Sequence, residues 1–337
     1  MPTLKPISIT NSNGIVINTK NRKIFLDPNR VPPSGLTFIS HAHLDHIHAS
    51  FDGKEVIASS ETVHLARERG FNIGNYKEEA EGIQTFDAGH ILGSRAVLID
   101  DSVFYTGDFA LRPRAFLGRG KTSKCDTLVM ETTFGSPEYV FPSVEKVIQE
   151  VNKLIAELFA RGMPAVLMGY PLGKSQILSH YFSIWDPVYV CESVAKMNKA
   201  YSALGVSLGN DFGNYEEAKE KGLLERKPWV LLSPLINGRS NFLKELKGKY
   251  NAVSIAFSGW ACRPGYKYAM NVDYAFPMSD HCDFNELSQL VTMCSPEKVI
   301  TVHGQNEKFA VCLRKRGYNA EPFSAMQPSI SDFIHED

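Results

Sequence analysis

The segment Ser40–His46 reads SHAHLDH and follows the strand-like run Leu36–Ile39 directly. Imidazole nitrogens and carboxylate oxygens are ligands that suit borderline divalent cations such as Zn²⁺. In a compact loop, the alternate side chains His41 and His43 can converge on one point, while the next pair, Asp45 and His46, reaches a neighbouring point. Two adjacent metals require this arrangement. The pattern therefore predicts a two-metal site for hydrolytic chemistry with these residues at its core: His41, His43, Asp45 and His46.

Three further segments place a metal-ligand type at the end of a predicted strand. His90 lies in the glycine-containing turn DAGH, Asp108 follows a strand-like run in TGD, and His303 follows another in VHG. A single histidine in such a turn is more often structural than a ligand. Because four such turns occur in this order along one chain, we predict that His90, Asp108 and His303 complete the two metal sites.

The order HAHLDH, DAGH and TGD resembles the metallo-β-lactamase superfamily over most of residues 1–135. The resemblance implies an α/β fold, an αββα sandwich with a dinuclear site along one edge of its two sheets. It also implies that Asp27 orients the histidine loop without contacting a metal. The implied ligands are His41, His43 and His90 for one metal and Asp45 and His46 for the second, with Asp108 bridging the two.

Later motifs resemble the β-CASP nucleases within that superfamily. Glu131 in ETTFG, His281 in SDH and His303 in VHG match the first, second and third motifs, although Phe134 stands where the family usually has Tyr. The resemblance implies that Glu131 pairs with His281, whose protonated ring gives a proton to the leaving oxygen. It also implies that His303 is a metal ligand and that a small α/β domain is inserted between the first two motifs.

The resemblance implies a mechanism for phosphodiester hydrolysis. Two divalent metal ions, Zn²⁺ foremost and Mn²⁺ as the alternative, share a hydroxide near Asp108 that attacks phosphorus in line. The metals neutralise the non-bridging oxygens while the departing 3′-oxygen is protonated. The catalytic set that follows is Asp45, Asp108, Glu131 and His281.

Two short motifs favour DNA over RNA as the substrate. Segments 172–176 (LGKSQ) and 258–260 (SGW) look most like the compact DNA ligase-associated exonucleases, relatives of Artemis and the crosslink-repair nucleases. Segment 303–307 (HGQNE) is instead close to the mRNA 3′-end processing nucleases, so an RNA nuclease is the alternative. The preferred interpretation is an exonuclease of DNA repair that associates with a DNA ligase or a repair helicase.

Three residues are candidates for contacts to the nucleic-acid strand. Lys174 opens a predicted helix after Gly173, where free N–H groups favour a phosphate, although a solvent-facing lysine is the alternative. Trp260 and Arg263 combine a stacking surface with a cation, as single-strand binding requires. Burial of Trp260 in the core is the competing interpretation.

Two other functional classes remain open at this stage. A thioester or lactone hydrolase would use the same metals, but it would need neither Glu131, nor His281, nor the insert. An inactive β-CASP subunit acting as a scaffold would tend to lose metal ligands, whereas this chain retains each expected ligand. Both alternatives therefore explain less of the sequence than a nuclease does.

The predicted elements divide the chain in three. Short β-branched and aromatic runs dominate the first part, and the runs at 96–99 and 103–105 read as a hairpin across Asp100 and Asp101. A strongly amphipathic helix at 143–161 then opens an alternation of strands and helices that predicts a parallel α/β layer. We expect a metallo-β-lactamase domain at 1–140 and 271–337 with a β-CASP insert at 141–270.

Composition agrees with an ordinary globular enzyme. The 337 residues are 43% hydrophobic and 22% charged, with a formal net charge of −1. Because no run approaches ~20 apolar residues and the first residues contain no apolar signal core, we expect a cytoplasmic protein without a membrane partner. The six cysteines form no Cys-x-x-Cys pair, which indicates reduced thiols. Oligomeric state stays open.

Overall fold

A computed structural model describes residues 7–209, 212–226 and 228–323 of the chain. The chain divides into two compact units. The first comprises Met1–Arg112, Gly118–Ser136 and His281–Asp337, and the second comprises Pro113–Leu117 and Pro137–Asp280. The expected insert was 141–270, and the last expected segment, 271–337, includes residues 324–337, which lie outside the described ranges.

The strands of the first unit form two six-stranded sheets. Their order is β1-β2-β3-β4-β5-β6 in one sheet and β18-β17-β10-β9-β8-β7 in the other. The strands are β1 (Ser8–Asn11), β2 (Ile15–Asn18), β3 (Lys23–Leu26), β4 (Leu36–Phe38), β5 (Glu55–Ile57), β6 (Asn75–Lys77), β7 (Ile83–Asp87), β8 (Arg95–Ile99), β9 (Val103–Tyr105), β10 (Thr127–Glu131), β17 (Lys298–Val302) and β18 (Ala320–Pro322).

Period-2 alternation builds two cores in this unit. Along β10, Val129 packs in a cluster shared by both sheets, whereas Leu128 and Met130 point to the other face. That other face is covered by the helices α8 (Phe284–Cys294) and α9 (Asn306–Lys315). A third helix, α1 (Ser60–Glu68), begins after Ser59, whose side chain accepts a hydrogen bond from the Thr62 N–H. Two packed sheets with helices outside are the predicted sandwich architecture.

The predicted hairpin is confirmed. β8 and β9 pair antiparallel, and Asp100 and Asp101 between them have φ values of 48° and 52°. Ile99 pairs with Val103, so three residues join the strands, and the first two are left-handed, a conformation that aspartate tolerates. The turn therefore fixes the register of β9, and Asp108 lies three residues after the end of that strand.

The second unit contains one sheet in which every strand pairing is parallel, as predicted, in the order β13-β12-β14-β11-β15-β16. Its strands are β11 (Ala165–Gly169), β12 (Val188–Val190), β13 (Gly213–Asn214), β14 (Val230–Pro234), β15 (Val253–Phe257) and β16 (Tyr274–Phe276). Its helices are α2 (Val144–Ala160), α3 (Lys174–Phe182), α4 (Glu192–Ala203), α5 (Tyr215–Glu220), α6 (Asn241–Tyr250) and α7 (Tyr266–Ala269).

Helices cover both faces of this sheet. Alternate residues of β11 belong to different cores: Leu167 packs with α2 and α3, and Met168 packs with α5 and α6. Helix α2 confirms the amphipathic prediction and begins after Ser143, whose side chain accepts from the Lys146 N–H. Within the described ranges, no helix is long and apolar enough to cross a membrane.

Candidate metal centre

The predicted ligands of the first unit lie where strands end. The histidine loop follows β4, Asp108 follows β9, and His303 follows β17, while Glu131 is the last residue of β10. Strands β9, β10 and β17 are parallel neighbours, so their carboxyl ends lie at the same edge of the sheet. This topology brings together residues that are up to about two hundred positions apart in the chain.

Three imidazoles and one carboxylate form the first group of converging ligand atoms: His41, His43, His90 and Asp108. The Nδ1 atom of His43 lies 3.0 Å from His41 Nε2 and 3.1 Å from His90 Nε2. Asp108 Oδ2 lies 3.5 Å from the Nε2 atoms of both His41 and His90. Ligands about 2.1 Å from a tetrahedral Zn²⁺ are roughly 3.4 Å apart, so this group fits such an ion.

A second group consists of Asp45, His46 and Asp108. His46 Nε2 lies 3.5 Å from Asp108 Oδ2 and 3.8 Å from Asp45 Oδ2. Asp108 therefore belongs to both groups, and the same Oδ2 atom faces each of them. Asp45 is exposed, whereas His46 and Asp108 are buried, so solvent reaches this group from one side. The two groups together suit a pair of divalent cations that share one carboxylate.

Asp27 holds the histidine loop from behind. Its Oδ1 accepts from the Ser40 N–H at 2.7 Å, and its Oδ2 accepts from the Ser40 hydroxyl at 2.6 Å and the Tyr105 hydroxyl at 2.9 Å. The same Oδ2 lies 2.8 Å from His46 Nδ1. A carboxylate on Nδ1 leaves Nε2 of that ring free to serve as the ligand atom. Sequence analysis identified Asp27 but missed Ser40 and Tyr105. Ser40 lies inside the motif, and no local signal marked Tyr105.

Glu131 and His281 form a pair beside the metal-ligand groups. His281 Nδ1 lies 2.9 Å from Glu131 Oε1, and His281 Nε2 lies 4.0 Å from Asp108 Oδ2. The Glu131 carboxylate is fully buried and accepts from the backbone N–H groups of Phe109 at 2.9 Å and Thr133 at 3.2 Å. Because these bonds fix the carboxylate, they also fix the direction in which His281 Nε2 points.

The electrostatics of the centre follow from burying many ionisable groups together. Burial lowers the pKa of His41 well below its usual range, and the neighbouring His46 acts in the same direction. Burial by itself would raise the pKa of Asp108, but His46 and His281 hold that pKa well below its usual range. Burial opposes the charged form of His46, yet Asp108 and Asp27 raise its pKa well above the usual value. The carboxylate of Asp108 is thus kept ionised, as a metal ligand must be.

His303 lies beside these groups rather than within them. Its ring centroid is 5.9 Å from that of His46, and its backbone has a φ of 59°. Its carbonyl oxygen accepts from the Thr132 hydroxyl at 2.7 Å, which holds the turn after β17. Among the described residues, ligand atoms converge in the two groups above and in a third, Asp108 with Glu131 and His281. His303 joins none of these three groups. Its role as a metal ligand therefore stays a prediction.

Two glycines are required by close approach at the site. Gly107, next to Asp108, has a φ of 54°, and a Cβ there would lie 2.7 Å from the Cβ of Ser40. Gly89, next to His90, has a φ of 68°, and a Cβ there would lie 2.6 Å from a backbone carbonyl oxygen. Both positions combine a left-handed backbone with contact distances that no side chain tolerates. The glycines of the motifs TGD and DAGH thus let the ligand loops approach each other.

Lys174 occupies a different environment from the predicted phosphate contact. The residue is 2% exposed, and its ammonium donates to Asp280 Oδ1 at 2.7 Å and to the Met278 carbonyl at 2.8 Å. Arg114, also buried, donates to the Asp280 carbonyl oxygen at 3.3 Å. The solvent-facing alternative is wrong for the same reason. We therefore replace both interpretations of Lys174 with a buried ion pair inside the second unit.

Trp260 and Arg263 lie together in the second unit. The Arg263 guanidinium is 5.3 Å from the centroid of the partly exposed Trp260 ring and 5.2 Å from that of Tyr139. The Tyr139 and Trp260 rings meet edge to face at 5.4 Å. Their assignment as nucleic-acid contacts stays a prediction. Tyr139, which sequence analysis did not single out, is the buried support of this cluster.

Comparison with known proteins agrees with this geometry. A family described as "Zn-dependent metallo-hydrolase RNA specificity domain" matches residues 265–321. An "RNase J-like protein" of Methanocaldococcus jannaschii is 22% identical over 89% of this chain and 92% of its own length. A "Probable DNA ligase" of Opitutus terrae is 33% identical over 86% of this chain. The chain spans only 28% of that ligase relative.

These matches support the resemblance of the chain to the β-CASP family of the metallo-β-lactamase superfamily. A solved structure has the same fold as this chain. A protein of unknown function from Enterococcus faecalis V583 superposes with a TM-score of 0.62 over 90% of this chain and 96% of its own, at 16% identity. At that identity the similarity concerns the fold alone. The zinc dependence in the description of the matched family is consistent with the converging His and Asp groups of the first unit.

Proposed function

We propose that this protein is a metal-dependent nuclease of the β-CASP family that hydrolyses phosphodiester bonds, with DNA as the favoured substrate and exonucleolytic action. The observation that carries the proposal is the pairing of His281 with Glu131 at 2.9 Å, with the second ring nitrogen directed toward Asp108. The metal-ligand groups alone would suit thioester or lactone hydrolysis equally well. A buried carboxylate that orients a proton donor toward the shared ligand is needed when the leaving group is a strongly basic alkoxide.

The ligand groups define what bound metals would contribute. One divalent cation held by the first group and another held by the second would supply Lewis-acid activation of water and neutralise charge on the scissile phosphate. We assign His41, His43 and His90 to the first ion, Asp45 and His46 to the second, and Asp108 to both. We include His303 as a further ligand of the second ion on the strength of its motif. Zn²⁺ is the first choice and Mn²⁺ the alternative.

The protein's own residues supply the proton transfer. His281 Nε2–H would donate a proton to the leaving 3′-oxygen, while the Glu131 carboxylate stabilises the positive charge of the ring through Nδ1. Glu131 cannot turn away, because two backbone N–H groups hold its oxygens. Asp27 keeps the His46 ring in the orientation that presents Nε2 to the ligand group.

The preference for DNA rests on relatives and motifs. The LGKSQ and SGW segments favour the DNA ligase-associated branch, and a probable DNA ligase is among the similar proteins. This chain spans only 28% of the length of that ligase relative. We therefore include physical association with a DNA ligase or a repair helicase in the proposal. The RNA nuclease is the second candidate, because the matched family is described by RNA specificity and an RNase J-like protein aligns over nearly its whole length.

End-labelled single-stranded DNA and matched RNA, each with 5′-phosphate or 5′-hydroxyl, test the proposal in Zn²⁺ and in Mn²⁺. We expect progressive shortening of DNA that is lost in His281→Ala and retained in His48→Ala, an exposed histidine next to the same loop. Shortening of RNA alone would replace DNA with the second candidate. Hydrolysis of a thioester or lactone with no cleavage of either nucleic acid would refute the nuclease proposal itself.

A further inference from the structure

A short segment of the second unit combines exposed aromatic rings with cations. Residues 258–272 contain Arg263 and Lys267 but no aspartate or glutamate, and the next residue, Asp273, pairs with Lys247 at 2.9 Å. The same segment and the strand β16 that follows it carry Trp260, Tyr268 and Tyr274. Interleaved basic and aromatic residues are the composition of single-strand nucleic-acid binding surfaces.

The geometry brings three of these side chains together. The Lys267 ammonium lies 6.0 Å from the ring centroid of Tyr268 and 5.5 Å from that of Tyr274. Tyr268 is 75% exposed and Tyr274 is 41% exposed, so both rings offer faces to solvent. Across the described residues, Lys267 makes no ion pair. A cation therefore stands between two exposed rings with its charge available to a ligand.

A second lysine–tyrosine contact in the same unit shows what is distinctive here. Lys249 lies 5.0 Å from the ring centroid of Tyr250, but its ammonium also pairs with Glu225 at 2.8 Å. The Tyr250 ring in turn packs against Trp229 at a centroid distance of 5.7 Å. The charge of Lys249 is therefore neutralised and the Tyr250 ring packs on the core. Among the described residues, Lys267 has no such acidic partner. The Lys267 cluster thus offers two partly exposed rings and a cation on one surface, which a ligand with bases and phosphates could contact.

We infer that Lys267, Tyr268 and Tyr274 form a binding surface for single-stranded nucleic acid. Unpaired bases would stack on the two tyrosine rings, and the ammonium would contact a backbone phosphate. Duplex bases are already stacked on one another and offer no free face, so the surface selects single strands. The inference rests on the proposed nuclease function, because it assumes that the ligand is the substrate strand.

Continuity with the neighbouring cluster supports the same ligand. The Tyr266 N–H donates to the Arg263 carbonyl at 3.0 Å, so α7 follows the turn that carries Trp260 and Arg263 directly. Arg263 already lies over the partly exposed Trp260 ring. Two ring–cation clusters thus occur within one segment of 258–276, and one strand of several nucleotides could contact both.

The test measures binding of fluorescent oligonucleotides by anisotropy, in the full chain carrying His281→Ala to prevent cleavage. The probes are single-stranded oligothymidylate, the same backbone without bases, and a duplex. Tyr268→Ala combined with Tyr274→Ala should weaken oligothymidylate binding by about tenfold or more and leave the baseless strand unchanged. Lys267→Gln should weaken both single strands and reduce the slope of log affinity against log salt by roughly 0.7.

Matched variants separate ring stacking from general damage. Tyr268→Phe combined with Tyr274→Phe should restore wild-type binding, because the ring faces remain. Ile184→Ala removes an apolar side chain that is 72% exposed elsewhere in this unit and should change nothing. Wild-type affinity of the double alanine variant for oligothymidylate would overturn the inference, as would an equal loss on the baseless strand.

Hydrolysis of bis(p-nitrophenyl) phosphate distinguishes this inference from the proposed function. Because the small diester carries no bases, the tyrosine variants with native His281 should hydrolyse it at the wild-type rate. Absence of diester and oligonucleotide hydrolysis in the wild type would refute the proposed function, while the anisotropy result would still decide the binding surface. Loss of diester hydrolysis in the tyrosine variants alone would show that they damage the fold and would overturn the assignment.

Discussion

The two units differ in how their buried charged groups are arranged. In the first unit, the Nε2 atoms of His41, His46 and His90 each lie 3.5 Å from the same oxygen of Asp108. In the second unit, Lys174 donates to Asp280 at 2.7 Å, and Arg114 lies beside the same residue. The first cluster gathers ligand atoms that converge on shared points, whereas the second cancels its charges internally.

The difference separates a binding site from a structural device. Ligand atoms that crowd together without a cation oppose one another, and a metal ion stabilises them when it binds. A buried ion pair needs no added ligand, but removal of one partner leaves an uncompensated charge. Perturbing the first cluster should therefore change metal content and activity, and perturbing the second should change folding stability. The predictions below test that contrast, beginning with the largest effect.

Asp108→Ala should abolish turnover, because the same carboxylate oxygen faces both ligand groups. The decrease in turnover should exceed roughly 100-fold, the decrease expected when a residue that only hydrogen-bonds a metal ligand is removed. Turnover of end-labelled DNA and metal content after purification without chelator measure the effect, with His48→Ala as the control. Wild-type rates in Asp108→Ala with metal present would contradict the assignment of Asp108.

Glu131→Gln should lower turnover of DNA by about 10²–10⁴-fold, the range of general acid–base catalysis, without loss of metal. The effect should be much smaller on bis(p-nitrophenyl) phosphate, because p-nitrophenolate leaves without a proton. The measurement is the fold decrease in turnover of DNA divided by that of bis(p-nitrophenyl) phosphate. This ratio is determined for Glu131→Gln and for His281→Ala. Equal losses on both substrates would mean that the pair does not protonate the leaving group.

Lys174→Met should lower the free energy of unfolding by about 3 kcal/mol, since Asp280 loses one buried partner and keeps Arg114 nearby. Urea unfolding measures the change, and Lys199→Met, at an exposed position of α4 in the same unit, is the control. Metal content should be unchanged. An unfolding free energy equal to that of wild type would mean that Lys174 is not the partner on which Asp280 depends.

Asp27→Asn should weaken metal binding by about 10–100-fold, because it removes the charge that orients His46 from behind. Tyr105→Phe removes one hydrogen bond to the same carboxylate and should cost less. Titration of the metal-depleted chain with Zn²⁺ compares the two variants with wild type. A larger effect for Tyr105→Phe than for Asp27→Asn would contradict this arrangement.

Much of the centre could be predicted because its parts are short and local. A few consecutive residues encode each of these features: the HAHLDH loop, the DAGH and TGD turns and the alternating strands. Their positions and order along the chain could therefore be predicted. Motif resemblance then supplied the pairing of Glu131 with His281, which the structure places 2.9 Å apart. Whether His303 binds a metal remains a prediction, because proximity to His46 does not by itself make it a ligand.

The sequence by itself determined which side chains could bind metals, which elements carry them and which motifs resemble those of the β-CASP family. Only the tertiary structure decided that Lys174 pairs with Asp280, 106 residues away, and that Tyr105 supports Asp27, 78 residues away. Local periodicity reports which face of an element is buried, but it contains no information about the partner that the burial creates. The local sequence of a lysine that follows a glycine at a helix start is the same whether its ammonium group binds a phosphate or a buried carboxylate.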